Sequence, residues 1–514
     1  MKPLFPITVA ALSLASAAFV ATKQTQATTE PQRVIYTWNG NPATQAAFTW
    51  RTDAPVAQAL IQFAPSSGDP RFTSTATTQN ATSQPLELAE GPTAYYHTAT
   101  LKGLKPKTKY SYRVGDGQSW SEWFDFTTAS VMDDPFTFIY FGDAQNNIKS
   151  MWSRVIRQAQ KDAPYADFML HAGDLINIPE ADKEWGEWFY AGGWLHSTIP
   201  SVATPGNHEY KSGKITRLWT PQFEYPRNGV PGLEETNYYI DFQGARIISL
   251  NSLEKTAEQA AWLDKTLSAT KANWTILTFH YPMYSTAKGR DNKALRELWL
   301  PIILKHKVDL VLQGHDHSYG RMTLPHSHSS VPSPSLGRAS EGLSTQINSS
   351  STPSPDGEGK GRGDQKNKNS RPESLYSQSV PSPSLGRVRE GLSTQINSSS
   401  TPSPDGEGKG WGDQNNAIKQ TRKSMVSNPL EPLFRGPNIT NLSTGATAQV
   451  GQTYFVVSVS GPKMYNVGED ALSRMTKTGE YKQLYQIITV TPTRITYRAH
   501  LANGELFDSF TIDK

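Results

Sequence analysis

Five short segments of the 514-residue chain carry side chains that bind metals: Gly142-Asp143-Ala144-Gln145, Gly173-Asp174-Leu175-Ile176-Asn177, Gly206-Asn207-His208-Glu209, Phe279-His280-Tyr281 and Gly314-His315-Asp316-His317. Asp, Asn and neutral His supply oxygen and nitrogen donors suited to Mn, Fe or Zn. The chain has no cysteine, so thiolate sites, disulfides and cysteine nucleophiles are excluded. A glycine ahead of Asp, Asn or His lets the backbone turn sharply and aim the side chain into a shared cleft. Each segment alone has an ordinary explanation. Gly-Asp is a common turn, Asn207 a turn former, His280 a core histidine, and His315 and His317 surface residues. Taken together and in this order, they point to a metal centre and to the water-activating chemistry such a centre performs.

The surrounding pattern shows what positions them. Four segments directly follow an apolar run, and the other closes Ser201-Val202-Ala203-Thr204-Pro205. From about Phe136 the chain alternates between strands (136–141, 167–172, 247–250, 274–279, 308–312) and helices (147–163, 180–194, 256–268, 292–306). This rhythm predicts an α/β domain with helices covering its sheets, and the β-patterned stretches 454–460 and 483–513 complete the sheets. Loops at the carboxyl edge of strands are where such folds gather ligands. Ahead of this domain, residues 31–130 read as short β segments divided by Gly, Pro, Asn and Asp. Tyr110, opening a strand after Leu104-Lys105-Pro106, resembles the tyrosine corner of a fibronectin type III-like sandwich. A sandwich there is expected to act as a spacer or packing partner.

Two segments belong to neither domain. The amino end combines Lys2, an apolar run from Leu4 to Ala21 and small residues near Gln26-Ala27. This predicts a signal peptide over 1–27 and a secreted, periplasmic or cell-surface protein without stable membrane association after cleavage. The alternative reading is an uncleaved anchor. Residues 325–428 are rich in Ser, Pro, Gly and Asn and predict a disordered insertion. Within it, 331–365 recurs as 380–414, differing only at Ala339/Val388, Ser340/Arg389 and Arg362/Trp411. The chain has 50 Lys plus Arg against 46 Asp plus Glu, a net charge of +4 that argues against nucleic acid as a partner.

In this order the motifs resemble the calcineurin-like metallophosphoesterase superfamily, specifically the purple acid phosphatase-like branch with an amino-terminal fibronectin-like domain. Gly206-Asn207-His208-Glu209 and Gly314-His315-Asp316-His317 are its most specific parts. The resemblance implies a four-layer αββα catalytic domain over 134–514 holding two metal ions. In it, Asp174 would bridge both ions, Asp143 and His317 would complete one site, and Asn207, His280 and His315 the other. His208 would face the substrate and help the leaving group. The branch's iron-binding tyrosine is expected three residues after Asp174, where this chain has Asn177, so the resemblance here implies a colourless centre of divalent Mn, Fe or Zn with Fe(III) less favoured. Gln145, Asn177 or water is left to fill the vacant position. The implied activity is hydrolysis of small phosphomonoesters by attack of a metal-bound hydroxide. The alternatives are a phosphodiesterase or nucleotidase on the same site, and a non-catalytic surface binding protein on this scaffold.

Overall fold

The computed structural model describes residues 27–326 and 451–514. The expected signal peptide and insertion therefore lie outside the described residues, apart from Ala27, Pro325 and His326.

The first domain is a sandwich of two four-stranded antiparallel sheets. One runs, in spatial order, Gln32–Thr37, Gln45–Thr52, Ala94–Lys102, Thr82–Leu86; the other runs Thr77–Asn80, Leu60–Pro65, Lys109–Gly115, Phe124–Thr127. Their inner faces bury aromatic residues, with the Phe48 and Tyr112 rings 4.1 Å apart. The Tyr110 hydroxyl accepts the Lys105 N–H at 2.9 Å, which closes the corner that the sequence suggests.

The second domain stacks two larger sheets. In the six-stranded sheet, Ser201–Ala203, Phe168–His171 and Phe136–Phe141 are parallel, and Leu484–Val490, Arg494–Leu501 and Leu506–Asp513 continue it antiparallel. The seven-stranded sheet has Ala245–Ser249, Trp274–Phe279, Leu310–Gln313 and Gln452–Val457 in parallel at its centre. Alternation along these strands divides residues between two cores. Ile247, Ile276, Leu310, Leu312 and Val456 join the apolar cluster shared with the six-stranded sheet, whereas Ile248, Leu277, Val311 and Phe455 face Leu263, Trp299 and Ile303 of the helices Thr256–Ala269 and Lys293–Lys305. The helices Ser153–Asp162 and Asp182–Gly192 cover the other sheet. Strands covered on both faces must be apolar throughout, which is why they read as continuous hydrophobic runs.

The sandwich is packed against the α/β domain. Trp38 stacks on Phe242 at 5.0 Å, the Tyr112 hydroxyl donates to the Ser197 carbonyl at 2.6 Å, and Thr49 Oγ1 donates to the Gln222 carbonyl at 2.6 Å. Its apolar core is continuous with that between the large sheets.

Tyr319 and Arg321 lie in the strand Tyr319–Pro325 and are buried. Both bind Asp508, Tyr319 through its hydroxyl at 2.7 Å and Arg321 through Nε at 2.7 Å, so they hold two strands of different sheets together. Trp185 and Trp188 are buried helix-packing residues, whereas Trp194 lies beyond the helix end and is 57% exposed.

Candidate metal centre

The five motifs emerge at the carboxyl ends of parallel strands, on the same edge of both sheets. Asp143 follows Phe136–Phe141, Asp174 follows Phe168–His171, Asn207 follows Ser201–Ala203, His280 follows Trp274–Phe279, and His315 follows Leu310–Gln313. The glycines have a different role from the expected sharp turn. Of the four that precede a donor, only Gly173 has a left-handed backbone, at φ +89°. The others permit close approach: a Cβ on Gly206 would lie 2.1 Å from Asp174 Oδ1, one on Gly314 2.5 Å from Asp143 Oδ1, and one on Gly142 2.0 Å from the Ser458 carbonyl oxygen. The left-handed strain falls on the polar residues themselves, with φ +52° at Asp174, +77° at His315 and +51° at His317. Non-glycine residues adopt that region at a cost, and such strain concentrates at functional sites.

Two groups of donors result, sharing Asp174. Donor atoms of Asp174, His280 and His315 lie within 4.8 Å of one another, as do those of Asp143, Asp174 and His317. His280 Nε2 is 3.2 Å from Asp174 Oδ2, and His317 Nε2 is 3.3 Å from Asp143 Oδ2. Asn207 Oδ1 lies 3.1 Å from His280 Nε2 and 3.0 Å from His315 Nδ1, so it completes the first group. Gln145 enters the second, its Nε2 2.9 Å from Asp174 Oδ2 and 3.0 Å from His317 Nε2. Asn177 is tied through its backbone, its N–H donated to Glu184 Oε2 at 2.6 Å and its carbonyl 2.6 Å from His208 Nδ1. His208 donates its own backbone N–H to Asp174 Oδ1 at 2.9 Å and is half-buried at the rim.

A second layer orients these groups. Backbone carbonyls of Ala172 and Lys463 lie 2.9 Å and 3.0 Å from Nδ1 of His280 and His317, which directs the Nε2 atoms inward. Glu209, quoted in the motif but given no role, is fully buried, and its carboxylate accepts four backbone N–H groups: Asp174 at 2.9 Å, Gly206 at 2.7 Å, Leu175 at 2.8 Å and Ile176 at 3.2 Å. It clamps the Asp174 loop to the Asn207 loop. Asp316, between the two histidines, accepts from Ser285 Oγ at 2.7 Å and Thr286 N at 2.5 Å. In the sequence the acid inside each motif is visible, but its burial and its partners are not.

Burial governs the charges. It pushes Asp143 up to about 7, with Asp174 reinforcing and His280 opposing, and it lowers His317 to about 3 and His315 well below its ordinary value. Burial also opposes charge on Asp174 and His280, but their mutual attraction prevails. Asp174 is held well below the usual carboxylate range, and His280 is raised to about 9. The metal-free centre thus contains an internal carboxylate–imidazolium pair. Asp143 Oδ2 and Gln145 Oε1 are buried without a hydrogen-bond partner. Buried oxygens of this kind call for a partner, and the surrounding oxygen and nitrogen donors suit a cation.

Other polar and aromatic residues lie around the loops that follow His280 and His315. The Tyr281 ring packs 4.3 Å from that of His315, and Arg290 donates to the His315 carbonyl at 2.8 Å. Tyr284 lies between Arg296 and Arg474. Lys288, Gly289, Arg290 and Asp291 border a cavity of about 640 Å³ whose lining includes none of the donor residues. His326 lies just past the strand Tyr319–Pro325, its N–H donated to the Gly451 carbonyl at 2.8 Å and its Nε2 3.2 Å from Thr453 Oγ1, away from the two donor groups.

Comparison with known proteins agrees with this architecture. A family profile described as "Purple acid Phosphatase, N-terminal domain" matches residues 31–128, and one described as "Calcineurin-like phosphoesterase" matches 136–319. The chain is 27% identical over 249 residues to a purple acid phosphatase of Glycine max, covering 44% of this chain and 53% of that one. It is 26% identical over 317 residues to the "Fe(3+)-Zn(2+) purple acid phosphatase 12" of Arabidopsis thaliana (57% and 65%). It is also 27% identical over 327 residues to "Acid phosphatase type 7" of Mus musculus (57% and 70%). The matched region thus spans about half to two thirds of these relatives' lengths. In fold, it is similar to a purple acid phosphatase from yellow lupin (Lupinus luteus) seeds, with a TM-score of 0.63 at 16% identity, covering 95% of this chain and 75% of that one. The chain belongs to the calcineurin-like metallophosphoesterases, in the purple acid phosphatase branch that carries an amino-terminal sandwich domain.

Proposed function

We propose that this protein is an exported, binuclear metal-dependent phosphatase that hydrolyses small phosphomonoesters. The observation that carries this reading is the pair of buried donor groups sharing Asp174, with His208 at their rim. Asp143, Asp174, His317 and Gln145 would hold one divalent ion, and Asp174, Asn207, His280 and His315 the other. Two cations there would supply water activation and neutralisation of phosphoryl charge. Gln145 would turn its amide so that Oε1 faces the ion, since Nε2 as placed competes with a cation for the Asp174 and His317 donor atoms. Asn207 offers its oxygen to both histidines' side of the cleft, and Glu209 keeps the two loops in register.

His208 is the group left to handle the proton of the departing alcohol. Donation of Nδ1–H to the Asn177 carbonyl fixes the ring and leaves Nε2 as its exchangeable position. Protonated at Nε2, His208 supplies the leaving oxygen with a proton and stabilises charge at phosphorus. The apolar amino-terminal run supports export by its composition. Metal analysis of the purified protein, with assays on nitrophenyl phosphate and bis(nitrophenyl) phosphate, tests the reading. Two equivalents of metal with preference for the monoester are expected. Preference for the diester would overturn the substrate assignment, and fewer than two equivalents without turnover would overturn the whole proposal.

A further inference from the structure

The first turn of the helix Asp182–Gly192 connects the sandwich to the metal-side loop. The helix has no side-chain cap on its amino end, and its first turn carries Asp182 and Glu184. Asp182 faces the sandwich. Its carboxylate receives Arg33 Nη1 at 2.7 Å and Arg51 Nη1 at 2.8 Å, and all three side chains are largely buried. Glu184 faces the other way. Its Oε2 accepts the N–H groups of Asn177 at 2.6 Å and Ile178 at 2.9 Å, and the Asn177 carbonyl lies 2.6 Å from His208 Nδ1.

Two local features are shaped around this joint. Arg33 sits at a bulge in its strand with φ +53°, a conformation an arginine adopts at a cost. Gly186, one turn along the helix from Asp182, stands where a Cβ would lie 3.0 Å from Arg33 Nη2. Glycine inside a helix is destabilising, and here it clears space for the guanidinium.

We propose that the sandwich domain is part of the catalytic apparatus: through Arg33, Arg51 and Asp182 it anchors the helix whose Glu184 fixes the Asn177 carbonyl, and thereby aligns His208. Glu184 is a positioning residue. The inference rests on the reading of His208 as the proton donor. Removing the Glu184 carboxylate frees the 177–178 peptides to rotate, so His208 loses its fixed orientation while the metal donors keep theirs.

The test uses the full chain. Glu184→Ala should lower kcat about tenfold or more, part of the 10²–10⁴ that a positioned acid provides. KM for nitrophenyl phosphate and bound metal should hold. In the metal-free protein, the Nδ1–H proton resonance of His208, assigned by its loss in His208→Gln, should shift or broaden. Glu184→Gln retains one acceptor oxygen for both N–H groups and should recover most of both signals. Arg33→Met leaves Asp182 paired with Arg51, so the fold persists. It should reproduce the kcat loss in smaller degree and combine non-additively with Glu184→Ala. An unmoved resonance and unchanged kcat in Glu184→Ala would overturn the inference, as would a simple sum of the two effects. Failure of the parent protein to cleave the ester defeats the functional reading instead, and the metal-free resonance still decides the alignment of His208.

Discussion

Asp174 Oδ2 lies 3.2 Å from His280 Nε2 with both side chains buried, and the same carboxylate belongs to both donor groups. Asp174→Ala should therefore remove metal from both positions and reduce turnover to background, as metal analysis beside the nitrophenyl phosphate assay will show. In the metal-free protein, His280 carries a proton up to about pH 9, burial opposing and Asp174 favouring the charged form. A cation must displace that proton, so loading should strengthen as pH rises towards 9 and release acid into weakly buffered solution. Loading that does not vary with pH would remove His280 from the ligand set.

His208→Ala separates proton donation from metal binding. His208 reaches Asp174 through its backbone N–H, which alanine retains, while its imidazole Nδ1 faces the Asn177 carbonyl. We expect kcat to fall about 10²–10⁴-fold with metal content nearly intact. Loss of metal would make His208 a ligand.

Glu209 is the residue whose removal should cost most stability relative to its size. Alanine there leaves four backbone N–H groups buried and unpaired, and each such group costs about 1–3 kcal/mol before relaxation. Urea unfolding of Glu209→Ala should show a loss of about 3 kcal/mol or more, with Glu209→Gln intermediate.

Why Glu209 escaped the sequence reading, while the donors beside it did not, follows from where the partners lie. Asp143, Asp174, His280, His315 and His317 were visible because their motifs follow strands that burial on both faces makes uniformly apolar, and Asn207 because its Gly-Asn-His-Glu motif closes the 201–205 segment. The Glu209 partners at 174–176 lie more than thirty residues away, and no periodicity reports a carboxylate gathering N–H groups across loops. Arg321 and Asp508 form a pair 187 residues apart, which no local pattern in the sequence could report. The tyrosine corner was readable because its hydrogen bond spans only five residues.

Acid sensitivity should arise from histidines outside the site. His196 stacks on Trp188 at 4.0 Å, and burial lowers it to about 3; His171, buried beside it, is also held well below its ordinary value. In the unfolded chain each returns to about 6.5. Between 6.5 and 3, therefore, the unfolded state holds a proton at His196 that the native state lacks. Stability is complete above that window and falls as pH drops through it, by about 1.4 kcal/mol per pH unit for each histidine. His196→Phe should flatten the slope of unfolding free energy between about pH 6 and 4. An unchanged slope would mean that His196 titrates normally.

Iron loading tests the role of Asn177. At this position the centre has no phenolate, and Tyr465 meets His317 as a ring 4.9 Å away. The iron-loaded protein should show no tyrosinate charge-transfer band in the visible region. Such a band would place a tyrosine on the metal and require a different ligand set.

The ends of the chain flanking the low-complexity segment already meet. Tyr319–Pro325 and Gln452–Val457 pair antiparallel as far as Pro325 opposite Gln452, and the His326 N–H reaches the Gly451 carbonyl at 2.8 Å. The two described strands are thus paired antiparallel up to the points where the 327–450 segment leaves and rejoins the chain. The paired strands lead away from His317, which precedes Tyr319 at the opposite end of the strand pair. Replacing 327–450 with a short Asn-Gly turn should therefore leave metal content unchanged and kcat within about twofold, because the length of such a connection carries only a modest entropic term. A large loss of activity would show that the segment contributes to the cleft, and a large gain that it obstructs it.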